Sequence, residues 1–120
     1  MTEITEIQLE LSPEEAAAMV ADGARLIDVR QDYEWEAGRI EGATHIPLEQ
    51  LPAQAEEIGR ERPIVFQCRT GSRSALAMQV FREAGYEAFN LSGGLQVWIA
   101  SEREIVPADG FVAGPHLDAS

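Results

Sequence analysis

The sequence contains no lysine; all nine of its basic residues are arginine. That absence excludes Schiff-base chemistry on a lysine amine and a P-loop phosphate site. Positive charge is scarce altogether, nine basic residues against 21 acidic ones, and a net charge of -12 disfavours nonspecific attraction to nucleic acid or an anionic membrane. Cysteine occurs once, at Cys68, which excludes an internal disulfide and a cysteine-rich metal site. No metal and no cofactor is expected. No apolar run approaches the roughly 20 residues of a membrane span, and Met1-Thr2-Glu3-Ile4 lacks the basic-then-apolar profile of a secretory leader, so the default expectation is a cytoplasmic protein. At 120 residues the chain suffices for one compact domain and is too short for two ordinary ones.

What is present converges on residues 63–85. Ile64, Val65 and Phe66 form a short β-branched and aromatic run suited to a strand covered on both faces. The polar loop Cys68-Arg69-Thr70-Gly71-Ser72-Arg73-Ser74 follows, and then Ala75, Leu76, Met78, Val80 and Phe81 recur at helical spacing up to Gly85, a natural stop. Strand, tight loop and helix start in that order make an anion cradle, because the first amides of a helix have no intrahelical acceptor and the helix dipole adds partial positive charge there. A lone cysteine is ordinarily a small buried hydrophobe. The residues after Cys68 are instead polar, glycine-containing and cationic, with Arg69 and Arg73 close by, and a cysteine in that setting is expected to be a thiolate at neutral pH.

In chain order, residues 1–11 alternate weakly through Ile7, Leu9 and Leu11, as an edge strand or an extended lead-in does. Ser12-Pro13-Glu14-Glu15 is a helix start, with serine as N-cap, proline at the first helical position and acids in the first turn, and the helix is expected to reach Asp22-Gly23. Leu26-Ile27-Asp28-Val29-Arg30 reads as a second short strand. An aspartate inside an apolar run needs a fixed partner, a loop N–H or an arginine, and the bland reading of Asp28 is an ion pair with Arg30 or another arginine that holds loops together. Gln31 to Gly38 reads as a one- or two-turn helix closed by Gly38, with Trp35 packing inward. Arg39 to Pro47 is a loop ending in a short strand, and His45, beside isoleucine and proline, is more simply structural than catalytic. Leu48 to Arg62 is helical and very polar, with Leu51, Ala55 and Ile58 on the apolar side. Glu87 to Leu91 supplies another strand, and Ser92-Gly93-Gly94 turns into Leu95 to Ile99, lying against the Cys68 loop or serving only as a helix start. Strands alternating with helices at these intervals predict an α/β domain around a central, mainly parallel five-stranded sheet with helices on both faces. Ligands of such sheets sit outside the carboxyl ends of the strands, where the Cys68 loop falls. Residues 101–120 read as a tail without a core of its own, whose Phe111, Val112 and Leu117 are suited to pack on the domain or on a second subunit.

The pattern resembles the single-domain rhodanese-like sulfurtransferases over about Leu11 to Trp98. Leu26 to Arg30 followed by Tyr33-Glu34-Trp35 is similar to the family's first signature, and Gly38 to Pro47 to its second, with Arg39 where a histidine is usual. Ile64 to Ser74 resembles the active-site strand and loop, and Leu91-Ser92-Gly93-Gly94 through Trp98 the closing motif. The resemblance implies a rhodanese-like domain over residues 1–100 and sulfane-sulfur transfer by double displacement. In that scheme Cys68 takes the outer sulfur of a small anionic donor such as thiosulfate, sulfite leaves, and the persulfide passes its sulfur to cyanide or a thiol. The amides of Arg69 to Ser74, including Thr70 and Gly71, would stabilise the thiolate and the persulfide, Arg69 and Arg73 would hold the donor's oxyanion, and Ser72 and Ser74 would add hydrogen bonds, the alternative for Ser74 being only to help start the helix. Thr70 and Glu34 stand where thiosulfate-preferring members often carry cationic residues. The implied physiological donor is therefore a protein or low-molecular-weight persulfide, with thiosulfate a convenient assay donor.

Two other readings compete. Phosphatases and arsenate reductases of the related fold have one more residue between cysteine and arginine, whereas four separate Cys68 from Arg73. Rhodanese-like domains that serve as noncatalytic docking modules have lost the cysteine that this chain keeps.

Overall fold

The computed structural model describes residues 8–115, so the packing roles expected of Ile7 and Leu117 fall outside it. Five strands form one sheet: β1 (Glu10–Leu11), β2 (Arg25–Asp28), β3 (Thr44–His45), β4 (Ile64–Gln67) and β5 (Ala88–Leu91). Their order is β1-β5-β4-β2-β3 and every pairing is parallel. β4 lies at the centre with all four residues buried, as a strand covered on both faces must.

The helices are α1 (Pro13–Ala21), α2 (Asp32–Ala37), α3 (Leu51–Ile58), α4 (Ser72–Glu83) and α5 (Gly94–Ala100). On one face Ile27, Ile64, Phe66 and Ala88 of the sheet pack with Leu51 and Ile58 of α3 and with Ala77, Met78 and Phe81 of α4. On the other, Leu26, Val65, Phe89 and Leu91 pack with Ala16 of α1 and with Leu95 and Trp98 of α5. The strand period of two sends alternate residues to the two cores, which is how short strands organise both. The expected α/β architecture with helices on both faces is the one observed.

Local signals explain the boundaries. Ser12 accepts from Glu15 N–H at 3.1 Å while Glu15 Oε1 accepts from Ser12 N–H at 2.9 Å, a reciprocal cap that starts α1 as expected. The segment expected to be helical from Leu48 to Arg62 is shorter in fact. A 3-10 turn covers Leu48–Gln50, α3 ends at Ile58, and Gly59 leaves with φ +74, a left-handed conformation that stops the helix. β2 ends at Asp28, two residues before Arg30. In α2 the buried side chain is Glu34; Trp35 is half-buried rather than packed inward, stacked on His45 with ring centroids 4.7 Å apart.

Beyond α5 the chain turns back along the domain. Val106 pairs antiparallel with Arg39, and Ile105 and Val112 pack against the α1–α5 core, while Phe111 remains exposed. Among the described residues no helix is long and apolar enough to cross a membrane.

Candidate active site

Cys68 directly follows β4, at the carboxyl end of the central strand, and its side chain is fully buried. Residues 68–71 form the loop, and Gly71 takes φ +99 as the N-cap of α4, a conformation that suits glycine alone among common residues. The loop bends so that its donors point inward. Cys68 Sγ accepts from Gly71 N–H at 3.1 Å, from Ser74 N–H at 3.4 Å and from the Ser74 hydroxyl at 3.3 Å. Two backbone amides and one hydroxyl thus converge on the sulfur at the start of α4. Ser74 thus does more than start the helix.

The loop's carbonyls are committed in the opposite direction. Leu95 N–H donates to Cys68 C=O at 2.8 Å and Gln96 N–H to Arg69 C=O at 3.1 Å, so the first turn of α5 caps the loop from behind. A Cβ on Gly94 would collide with Cys68 O and lie 2.6 Å from the Arg69 carbonyl carbon, and Gly94 also has φ +64. The Ser92-Gly93-Gly94 turn therefore lies against the Cys68 loop, which decides between the two roles open to it. Asn90, buried in β5, supports the loop from below: its Nδ2 donates to Gly71 C=O at 3.0 Å and to Glu10 Oε1 at 2.9 Å. Sequence reasoning passed over Asn90, although an amide inside Ala88-Phe89-Asn90-Leu91 is the kind of buried polar group that must have partners.

The two loop arginines have different fates. Arg73 forms a bidentate pair with Glu34, Nη1 to Oε1 and Nη2 to Oε2 both at 2.8 Å. Burial pushes the Glu34 carboxyl up, but the hydrogen bonds from Arg73 and from Gln31 N–H, with the charges of Arg73 and Arg30, outweigh it and leave the group below its usual range. The same pair raises Arg73, with burial opposing. Arg69 is half-buried, and among the described residues its guanidinium has no ion-pair or hydrogen-bond partner. Thr70 and Ser72 are exposed at the mouth. The structure thus assembles Cys68, Gly71, Ser74 and the loop backbone, gives Arg69 no ion-pair partner among the described residues, and binds Arg73 to a carboxylate whose role was read only as a charge difference. A glutamate followed by an arginine 39 residues later carries no local signal.

Asp28 and Arg30 form a fully buried pair at the carboxyl end of β2, where Asp28 stands in register with Gln67 of β4. Asp28 accepts from both Arg30 N–H and its guanidinium, at 2.7–3.1 Å, so a backbone amide and an arginine are both its partners. Arg30 Nη2 also donates to Gly38 C=O at 2.8 Å, tying the end of β2 to the end of α2. His45 Nε2 lies 2.8 Å from Arg30 C=O, in keeping with a structural histidine. No cluster of three or more histidine, cysteine or acidic side chains fit to hold a metal occurs among the described residues.

Comparison with known proteins gives concordant matches. The family model described as "Rhodanese-like domain" matches residues 12–101. A protein named "Sulfurtransferase" from Allochromatium vinosum is 32% identical over 104 residues, covering 84% of this chain and 97% of the relative. The uncharacterized protein YqhL of Bacillus subtilis is 43% identical over 76 residues, covering 62% of this chain and 60% of YqhL, so this chain spans less than two thirds of that relative's length. Among solved structures, reduced Bacillus anthracis CoADR-RHD superposes with a TM-score of 0.73 at 32% identity, covering 80% of this chain and 18% of that one.

Proposed function

Since the chain belongs to the rhodanese-like domain family and has sulfurtransferase relatives, we propose that it is a sulfurtransferase working through a persulfide on Cys68. The observation that carries this reading is the convergence of Gly71 N–H, Ser74 N–H and Ser74 Oγ on Cys68 Sγ. Three donors around one sulfur are what an anionic thiolate, and then an anionic persulfide, needs.

The reaction follows in two displacements. Cys68 thiolate attacks the outer sulfur of a donor, thiosulfate or a persulfide; the donor's S–S bond breaks and its leaving group departs with the bonding pair, sulfite in the case of thiosulfate. The negative charge now rests on the terminal sulfur of Cys–S–S⁻, where loop amides of Arg69 to Ser74 are available to it. A thiolate or cyanide acceptor attacks that terminal sulfur, the new S–S or S–C bond forms, and Cys68 leaves as thiolate. Arg69, half-buried and without an ion-pair partner among the described residues, receives the anionic part of the donor, and Thr70 and Ser72 line the approach. Asp28 and Arg30 hold the carboxyl end of β2, next to β4. The setting we infer is cytoplasmic, with a small sulfur-donor anion or a protein persulfide as partner.

The test is sulfite release from thiosulfate with a thiol or cyanide acceptor, and release of the donor's thiol when organic persulfides replace thiosulfate. Turnover with at least one donor in wild type and none in Cys68→Ala is expected. An unreactive wild type against the whole donor panel, with a partner protein that binds Cys68→Ala as well as wild type, would replace the catalytic reading by a docking one.

A further inference from the structure

The family match ends at residue 101, yet the following segment is built into the fold beside α2. Val106 and Arg39 exchange backbone hydrogen bonds of 2.7 and 2.9 Å, and Phe111 N–H donates to Ala37 C=O at 2.9 Å. The Tyr33 hydroxyl donates to Gly114 C=O at 3.0 Å. Where the segment crosses the end of α2 there is no room for side chains. A Cβ on Gly38 would lie 2.7 Å from Phe111 O, and one on Gly110 would lie 2.8 Å from Ala37 O. Gly38 closes the helix as expected, its φ of 173 is ordinary extended backbone, and the close crossing is the reason for glycine there. Ile105 and Val112 anchor the segment in the core, and Trp98 Nε1–H donates to Glu104 C=O at 3.0 Å.

α2 has six residues and one buried side chain, Glu34. A helix that short does not hold itself together, so its position is set by what grips it. Arg30 holds Gly38 C=O from beneath, and residues 102–115 hold Tyr33, Ala37 and Arg39 from outside. Glu34 in turn occupies both terminal nitrogens of Arg73 in the sulfur loop.

We propose that residues 102–115 are a positioning strap: by seating α2 they keep Glu34 on Arg73, and so set the charge that the sulfur site offers to a donor. With the strap seated, Arg73 is neutralised and, among the described residues, Arg69 is the loop cation that remains, which suits neutral or singly charged sulfane donors over dianions. The naming of a donor rests on the sulfur-transfer reading; the charge relay from strap to Arg73 does not.

The test reads the charge beside Cys68 without requiring sulfur transfer. Full-length protein is alkylated with iodoacetate, an anion, and with iodoacetamide, its neutral counterpart, and the ratio of the two rates is compared among variants. Glu34→Gln, which frees Arg73, is expected to raise the iodoacetate-to-iodoacetamide ratio roughly threefold or more at low salt. Gly110→Ala, which lifts the strap, is expected to raise it in the same direction in the wild-type background and to add nothing in the Glu34→Gln background. Tyr33→Phe, a gentler change, gives a smaller rise if Gly110→Ala does not fold. An unchanged ratio in Gly110→Ala and Tyr33→Phe, or an equal rise in both backgrounds, overturns the proposal. If the thiol resists both reagents, the side-chain nitrogen NMR signal of Arg73 decides: guanidinium rotation slow in wild type and fast in Gly110→Ala supports the strap, and equal rates refute it.

Discussion

Ser74 supplies two of the three hydrogen bonds that reach Cys68 Sγ, one from its amide and one from its hydroxyl. Ser74→Ala removes only the hydroxyl. One hydrogen bond to a charged group contributes about 1.5 kcal/mol, so Ser74→Ala is expected to load sulfur about tenfold more slowly while remaining folded. Stopped-flow measurement of sulfite release checks it, and an unchanged rate would remove Ser74 from the site. Glu34 makes a different kind of prediction. Its carboxyl is held below the ordinary value of 4.5, so the Glu34–Arg73 pair stabilises the fold fully above that pH and the stabilisation is lost as pH falls through the lower folded value. Denaturant titrations between pH 6 and roughly pH 3 are expected to show wild type losing stability more steeply than Glu34→Gln at the acid end. Parallel curves would mean that the pair contributes nothing. At this scale the sequence was informative where a residue violates its surroundings. Asp28 in an apolar run announces a buried partner, and the polar, glycine-containing loop after Cys68 announces the donors that meet its sulfur. It was uninformative for Glu34, because a glutamate in a short acidic helix looks like any solvated charge until the fold brings Arg73 to it.

Among the elements, the junction of α5 with the loop after β4 controls whether the loop's amides face the sulfur. Leu95 and Gln96 draw the carbonyls of Cys68 and Arg69 backward, and a side chain at Gly94 has no space to exist there. Gly94→Ala combines that collision with an unfavourable positive φ, and is expected to cost about 1–3 kcal/mol and to abolish measurable sulfur loading. Urea denaturation and a loading assay on the same preparation check both parts; a fully stable and active variant would show that α5 does not shape the loop. Element type was legible from local chemistry: Ser12-Pro13 for α1, Ile64-Val65-Phe66 for β4, the glycine pair for the start of α5. Element length was less so. Leu48 to Arg62 has apolar residues at helical spacing throughout its first half, and only the left-handed Gly59 shows where α3 must end. Strand order was not legible beyond a parallel sheet, since β1 pairs with β5, from opposite ends of the domain, through backbone groups that carry no sequence mark.

For the molecule as a whole, the net charge is -12, while the sulfur donors proposed for the Cys68 loop are anions. Repulsion at long range is screened by salt, whereas contacts inside the loop are screened much less. The second-order rate of sulfur loading from thiosulfate is therefore expected to rise about two- to threefold as ionic strength increases from roughly 0.01 to 0.15 M. A fall over that range would mean that the local arginine field, not the acidic envelope, governs approach. The two cores lie on either side of one sheet, and beyond the family match over residues 12–101 the C-terminal segment packs on one of them through Ile105 and Val112.

The central claim is that Cys68 carries sulfur, and intact-mass analysis addresses it most directly. After incubation with thiosulfate or an organic persulfide and removal of the donor, wild type is predicted to gain about 32 Da, the mass of one sulfur atom. The adduct is predicted to vanish on addition of cyanide or dithiothreitol and to be absent from Cys68→Ala. No mass gain with any donor, or an identical gain in Cys68→Ala, would contradict the account.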